Sequence, residues 1–384
     1  VKMQQNIEHP KSIQLSKSLK LLSNGFLGIW CLIAVFPLLW ITLMSLKYPL
    51  DAFSANPLVV IFGPGTLSAG ASINLFDLLL VILWVVVAFL GIKRWQAEKN
   101  LGFKNWLYLG ISIGWLFVAI VFTELSVALK ELLGPDFFLM TPLLGMTTEH
   151  FQSVWIEQEF YRQFLNSLLV TTGVVSISLT VGTLAGYGLA RSGSNWAFWI
   201  LMTALVFRAL PHSVLVSGYL PWFINSAEWL RPIFGEAAPT LYGQPWAIIV
   251  VLASINQPFT IWMLRSFFQN IPRELDEAAR IDGCSHGEAF VRVIIPVMWP
   301  GVLTAGLFSC LLAYNDYLVA ALLLDAQNQT MVPAISGYFN RETTSTDQVE
   351  AVAAAVSITA PLFVLVMVFQ KQLVSGLTQG AVKG

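Results

Sequence analysis

Charged and amide side chains are scarce in this chain, so the places where they gather are informative. The densest gathering runs Asn270-Ile271-Pro272-Arg273-Glu274-Leu275-Asp276-Glu277-Ala278-Ala279-Arg280-Ile281-Asp282-Gly283 and, after a second short segment, closes at Val293-Ile294-Ile295-Pro296. Pro272 suits the first position of a helix, where a missing N–H costs nothing, and Glu274, Asp276 and Glu277 stand in the first turns, where the helix dipole favours anions. Ala278 and Ala279 are good helix formers that let another surface approach closely, and Asp282-Gly283 is a turn signal that ends the helix. Ser285 followed three residues later by Glu288 fits a capping box that opens a second helix, and Pro296 marks where that helix gives way to an apolar stretch. The pattern predicts helix, glycine elbow, helix, lying on a membrane surface. A bare polar loop would mean little, but the spacing from Glu277-Ala278-Ala279 to Gly283 and Pro296 sets this one apart.

Other polar groups lie inside apolar stretches, where a buried ionisable or amide group marks either a path or a pair. Arg208, Asn256-Gln257 and Asn315-Asp316 are the candidates. Asn256 and Gln257 precede Pro258, which leaves a helix one hydrogen bond short, so their amides either repair that gap or face a solute. Asn315 and Asp316 sit between Tyr314 and Tyr317, and aromatic faces beside amide and carboxylate groups suit stacking and hydroxyl bonding of a polyhydroxylated ligand. Bonding between helices is the equal alternative. Arg208 either pairs with a buried carboxylate or lines the same path. The polar loop from Asp325 to Glu350 is open to two readings, a solvated connector or a contact surface.

Chemistry of other kinds is poorly supplied. Cys31, Cys284 and Cys310 are scattered, and His9, His150, His212 and His286 have no metal-ligand spacing. No Gly-x-x-x-x-Gly-Lys-Ser/Thr stretch is present to cradle ATP phosphates, so no cofactor is expected on this chain. A net charge of -1 argues against a nucleic-acid partner.

The elements that carry these residues follow from composition. Apolar residues make up 56% of the chain and charged ones 11%, with 26 Phe and 14 Trp, which predicts an all-α integral membrane protein. About eight spans of roughly 20 residues are expected. They fall near Phe26 to Leu46, Ile73 to Ile92, Trp106 to Leu125, Phe164 to Leu189, Trp196 to Tyr219, Pro245 to Leu264, Val297 to Tyr317 and Ala351 to Phe369. With the N-terminus inside, 15 of the 21 basic residues fall on inner flanks and five on outer ones, so both termini and the 270–296 segment are expected in the cytoplasm. The polar residues 1–25 form a cytoplasmic N-terminal segment with no cleavable-signal pattern, and the first span is expected to stay as an anchor.

The form Glu-Ala-Ala, three residues, Gly, nine residues, then an aliphatic-x-aliphatic-Pro resembles the EAA loop of bacterial ABC-importer permeases. From Phe160 onward the chain is similar to the carbohydrate-type, maltose-type permease subunit with six core helices: Phe164-Leu165-Asn166-Ser167-Leu168, Ala185-Gly186-Tyr187-Gly188-Leu189-Ala190-Arg191, Trp262-Met263-Leu264-Arg265-Ser266-Phe267-Phe268 and the tail from Gly376 all stand in family-like order. Tyr314-Asn315-Asp316-Tyr317 stands where that family often has Trp-Asn-Glu-Phe, so ligand contacts do not transfer.

The resemblance implies a first core helix and external exit over 26–57, an insertion with two extra spans over 58–141, and the permease core over 142–384. It further implies a coupling loop over 270–296 in which Glu274, Glu277, Ala278, Ala279, Asp282, Gly283 and Pro296 meet an ATPase. Implied partners are a second permease subunit forming a heterodimer, two ATPase subunits holding ATP and Mg, an external solute-binding protein, membrane lipid, and a sugar, polyol or related glycoside as solute. The implied location is the bacterial cytoplasmic (inner) membrane. The alternative, an ion-coupled secondary transporter, would place paired acids deep in several spans and show inverted repeats. Few deep acids and no repeat are found. A membrane enzyme would need a His, acidic or nucleophilic cluster at a membrane face, which the sequence lacks.

Overall fold

The computed structural model describes residues 17–79, 137–210, 212–339 and 344–381, with isolated positions between 82 and 134. These residues are mostly helical and fall into two compact units, Val1–Thr148 and Glu149–Gly384.

In the first unit α1, Lys17–Met44, is apolar on all sides, as a span must be, and 27 of its residues form a stretch long enough to cross a bilayer. Three short helices follow, α2 (Pro49–Ala52), α3 (Pro57–Phe62) and α4 (Pro64–Ser68), each opened by proline, whose fixed φ suits a first turn. They fold around two buried charges. Lys47, 0% exposed, donates from Nζ to the Ile61 carbonyl at 3.0 Å and to the Gly145 carbonyl. Asp51, 1% exposed, accepts from Gly65 N at 3.1 Å, Thr66 N at 2.5 Å and Thr66 Oγ1 at 2.7 Å. Burial pushes the Lys47 pKa down against the pull of Asp51, whereas at Asp51 burial is outweighed by the Thr66 and Gly65 donors, which hold the carboxyl below its ordinary value.

Two strands, β1 (Ser72–Asn74) and β2 (Pro142–Gly145), pair antiparallel with Ser72 opposite Gly145, and so join a segment inside the expected insertion to the residues that follow it. Asn74 and Asp77 cap a helix beginning at residue 75. The span expected from Ile73 therefore starts after a strand. Residues 75–79 and the described positions 82, 83, 86, 89 and 90 of that span are helical, whereas the span expected from Trp106 to Leu125 lies outside the described residues.

The second unit opens with α5 (Glu149–Gln152) and the long α6 (Phe160–Arg191). Then come α7 (Asn195–Arg208), α8 (His212–Ile224), α9 (Ser226–Phe234) and α10 (Pro245–Gln269). The single span expected from Trp196 to Tyr219 is thus two shorter helices. Pro211 supplies the reason, since a residue before proline is pushed out of the helical region. The chain continues through α11 (Glu274–Ile281), α12 (His286–Ala289), α13 (Ile295–Tyr314), α14 (Leu318–Leu323), α15 (Met331–Phe339) and α16 (Ser345–Ala381). Five helices among the described residues are long and apolar enough to span: Ser18–Met44, Phe160–Arg191, Pro245–Gln269, His286–Tyr314 and Ser345–Val366.

Three buried clusters hold the second unit together. Val170, Val174, Val216, Ile248, Leu252 and Leu323 join α6, α8, α10 and α14. Phe160, Tyr314, Met331, Tyr338 and Ile358 join α6, α13, α15 and α16. The third, Ala190, Leu264, Phe268, Ile271, Ile294 and Met298, lies where α6, α10 and α13 approach the polar segment. The Asp325–Glu350 loop is more structured than a solvated connector: Met331 and Tyr338 are buried, and buried Glu350 accepts from Ser153 Oγ at 2.8 Å and Gln158 Nε2 at 2.5 Å.

Candidate functional site

The polar segment folds as helix, elbow, helix. Regular helix starts at Glu274, two residues after Pro272, and ends in a Schellman turn, with Cys284 N donating to Ala279 O at 3.0 Å and Gly283 N to Arg280 O at 3.1 Å. Gly283 has φ +92°, a left-handed conformation that strains any side chain. Ser285 and Glu288 form the expected reciprocal capping box. From His286 the helix runs on to Tyr314 through a π-helical turn, Phe290–Ile294, so Pro296 stands just past a widened turn in one continuous rod. That turn absorbs the hydrogen bond that Pro296 cannot make.

Glu274, Glu277, Ala278, Asp282, Gly283 and Pro296 are exposed, and Ile281 is 86% exposed. Ala279 is not: at 4% exposure it packs inward, so the close approach expected of both alanines is open to Ala278 alone. Asp276 also turns inward. Its Oδ1 accepts from Tyr187 Oη at 2.6 Å and its Oδ2 lies 2.6 Å from Arg191 Nη2, a charge contact rather than an aligned bidentate bond. Arg191 Nη1 donates to the Ile271 carbonyl at 3.1 Å, and its guanidinium lies over the Tyr187 ring. Sequence reasoning noticed all three residues without joining them. The available signal was a cation at a helix C-terminus and an acid in the first turn of another helix.

A second group forms in the interior of the same unit. Arg208, Asn256 and Asp316 line one small pocket with Val174, Leu252, Ile255, Leu312 and Ala313. Asn256 is 4% exposed, and neither its Oδ1 nor its Nδ2 has a partner among the described residues. The amide therefore does not repair the gap at Pro258. Gln257 does not either: its Nε2 reaches across to Ser178 O of α6 at 3.4 Å. The Arg208 guanidinium lies 4.8 Å from the centre of the Phe259 ring, with Nε unpartnered, and no ion pair joins it to a carboxylate among the described residues. Asp316 Oδ1 accepts from Val319 N and Ala320 N and so caps α14.

The other candidates lie elsewhere. Tyr314 is buried, with its hydroxyl bonded to Ile358 O at 3.1 Å, and belongs to packing between α13 and α16. Asn315 is exposed and closes the last turn of α13 through Leu311 O, and Tyr317 is 46% exposed.

A helix–elbow–helix thus presents Glu274 and Glu277 outward from a unit with four helices long and apolar enough to span. The family model described as binding-protein-dependent transport system inner membrane component matches residues 178–379, more than half the chain. The chain belongs to that family. It is a multi-pass permease subunit of an ATP-driven, binding-protein-dependent ABC importer, and hydrolysis belongs to a separate ATPase subunit. The permease is 31% identical to the probable ABC transporter permease YurM of Bacillus subtilis over 62% of this chain and 74% of that one. It is 29% identical to the trehalose transport system permease SugB of Mycobacterium tuberculosis, over 62% and 83%. To the diacetylchitobiose uptake system permease DasC of Streptomyces coelicolor it is 30% identical, over 62% and 82%. Its fold resembles that of a bacterial ABC transporter involved in the import of the acidic polysaccharide alginate, with a TM-score of 0.56 at 16% identity, covering 94% of this permease and 99% of that chain.

Proposed function

We propose that this permease forms half of a translocation pathway for a sugar, polyol or related glycoside, beside a second, different permease subunit. Two ATPase subunits hold ATP and Mg, and an external binding protein delivers the solute. In this reading six core spans and an inserted two-span hairpin make eight, and both termini and the 270–296 loop are cytoplasmic. The basic residues on the inner flanks support that orientation.

The observation that carries the coupling role is the outward face of α11. Glu274, Glu277 and Ala278 are exposed, Gly283 sets the bend, and the far side of the helix is fixed to α6. A carboxylate there fits a basic or polar group on the ATPase, and closure of the ATPase pair then moves α11 and switches access. Replacing Glu277 by Lys or Gly283 by Val is expected to abolish uptake with membrane insertion intact. Unchanged ATP-dependent uptake in both would sink the coupling role.

For the solute, the pocket of Arg208, Asn256 and Asp316 supports a polyhydroxylated ligand. A buried amide without partners costs about 1–3 kcal/mol for each unmet group, and hydroxyls satisfy both its donor and its acceptor. The names of the trehalose and diacetylchitobiose permeases support the same class. In the reconstituted complex, oligosaccharides are expected to stimulate ATP hydrolysis. Stimulation by an amino acid and by no saccharide would overturn the assignment.

A further inference from the structure

We propose that Arg191, Asp276 and Tyr187 form a latch that makes α11 move as one body with the adjoining ends of α6 and α10, and that the stroke of the ATPase reaches the spans through it. The proposal rests on α11 being the ATPase-coupling helix.

With eight residues, α11 is too short to hold its own course, since isolated helices of this length are marginal. Covalently it hangs between two non-helical joints, the Asn270–Arg273 lead and the Gly283 elbow. Its outer face is exposed and given over to the partner. On its inner face Ala279 offers only a methyl group, so Asp276 is the one side chain there able to fix its direction.

The counterpart is built to hold three segments at once. Arg191 closes α6, contacts Asp276 of α11 at 2.6 Å, and donates to the Ile271 carbonyl just beyond α10 at 3.1 Å. A planar guanidinium can do this where an ammonium on a flexible stem cannot. Tyr187, one turn earlier on α6, has its ring centre 5.5 Å from that of Phe268 and 4.7 Å from that of Phe290, and its hydroxyl meets the other oxygen of Asp276. The ion-pair side chains are 17% and 18% exposed, so salt screens the contact weakly. Without the latch, a push on Glu277 would swing α11 about its elbow. With it, the push is delivered to the 32-residue α6. These are positioning residues, since they face away from the surface offered to the ATPase.

The test uses the full transporter in proteoliposomes and reads solute taken up per ATP hydrolysed. Asp276→Asn keeps the shape and removes the charge. It is expected to retain the co-purifying ATPase and its hydrolysis but to lower uptake per ATP about tenfold, within the usual range of coupling between sites. Asp276→Glu restores the charge and is expected to recover most of the ratio, which a role in packing alone would not produce. An unchanged ratio in Asp276→Asn overturns the latch. Loss of the ATPase from the complex also overturns it, because Asp276 would then be part of the docking surface. Gly283→Val runs beside it as the control: if both variants couple normally, α11 is not the coupling helix, whereas if Gly283→Val alone fails, only the latch is wrong.

Discussion

Lys47 shows what single residues do when water is withdrawn. Its ammonium is fully buried and bonded to carbonyls of Ile61 and Gly145, the latter 98 positions away. Asp51 answers the charge and is itself held by Gly65 and Thr66. Asp51→Ala strips the buried lysine of its carboxylate and is expected to destabilise the first unit by about 3–5 kcal/mol, read as faster hydrogen exchange of residues 61–66. The pH dependence has a definite sign. Because the Asp51 carboxyl is held below its ordinary value, its contribution is complete above about pH 4 and is lost as pH falls through the lower folded value, so the Gly65 and Thr66 amides should exchange faster in acid. Lys47 is depressed by burial, so the cost of its charge is relieved as pH rises through its folded value, and mild alkali should not loosen the unit. In the sequence Lys47 is only a basic residue on a flank. Its carbonyl partners come from α3 and from a distant strand and could not be read there.

Elements were more legible, because caps and breaks are local. The Ser285–Glu288 box and the Gly283 elbow follow from neighbours within four residues, and both form as expected. The break between α7 and α8 was equally local, yet the length of the apolar run hid it. How helices cross was not legible at all. A Cβ on Gly186 would stand 3.0 Å from both Arg265 N and Leu264 Cβ of α10, whereas one on Gly188 would meet nothing within 4 Å. Gly186→Val is therefore expected to cost about 1–3 kcal/mol and lower the thermal midpoint of the permease, while Gly188→Val should sit close to wild type. Equal midpoints would mean that α6 and α10 do not approach as closely as the geometry requires.

At the scale of the whole molecule the proposed insertion would be the main departure from the proposed six-span plan. The segment proposed as inserted begins at Leu58, yet residues 61–66 grip Lys47 and Asp51, and β1 is paired with β2. Joining Asn74 directly to Phe138 leaves that grip and strand pair in place and is expected to preserve uptake. Removing all of 58–141 should abolish it, and equal uptake from the two deletions would refute the difference. By itself the sequence determined that this chain is a polytopic helical membrane protein with a helix–elbow–helix segment near residues 270–296, since apolar run length, capping and turn chemistry are decided by residues close along the chain. Only the tertiary structure decided which polar groups meet. Arg208, Asn256 and Asp316 line one pocket, Tyr314 is withdrawn into packing, and Tyr187 and Arg191 hold Asp276. The physical reason is that helices apolar on every side carry no pattern that says which face meets which neighbour, so a pairing such as that across the 89 positions from Tyr187 to Asp276 is settled by close packing of small residues between helices.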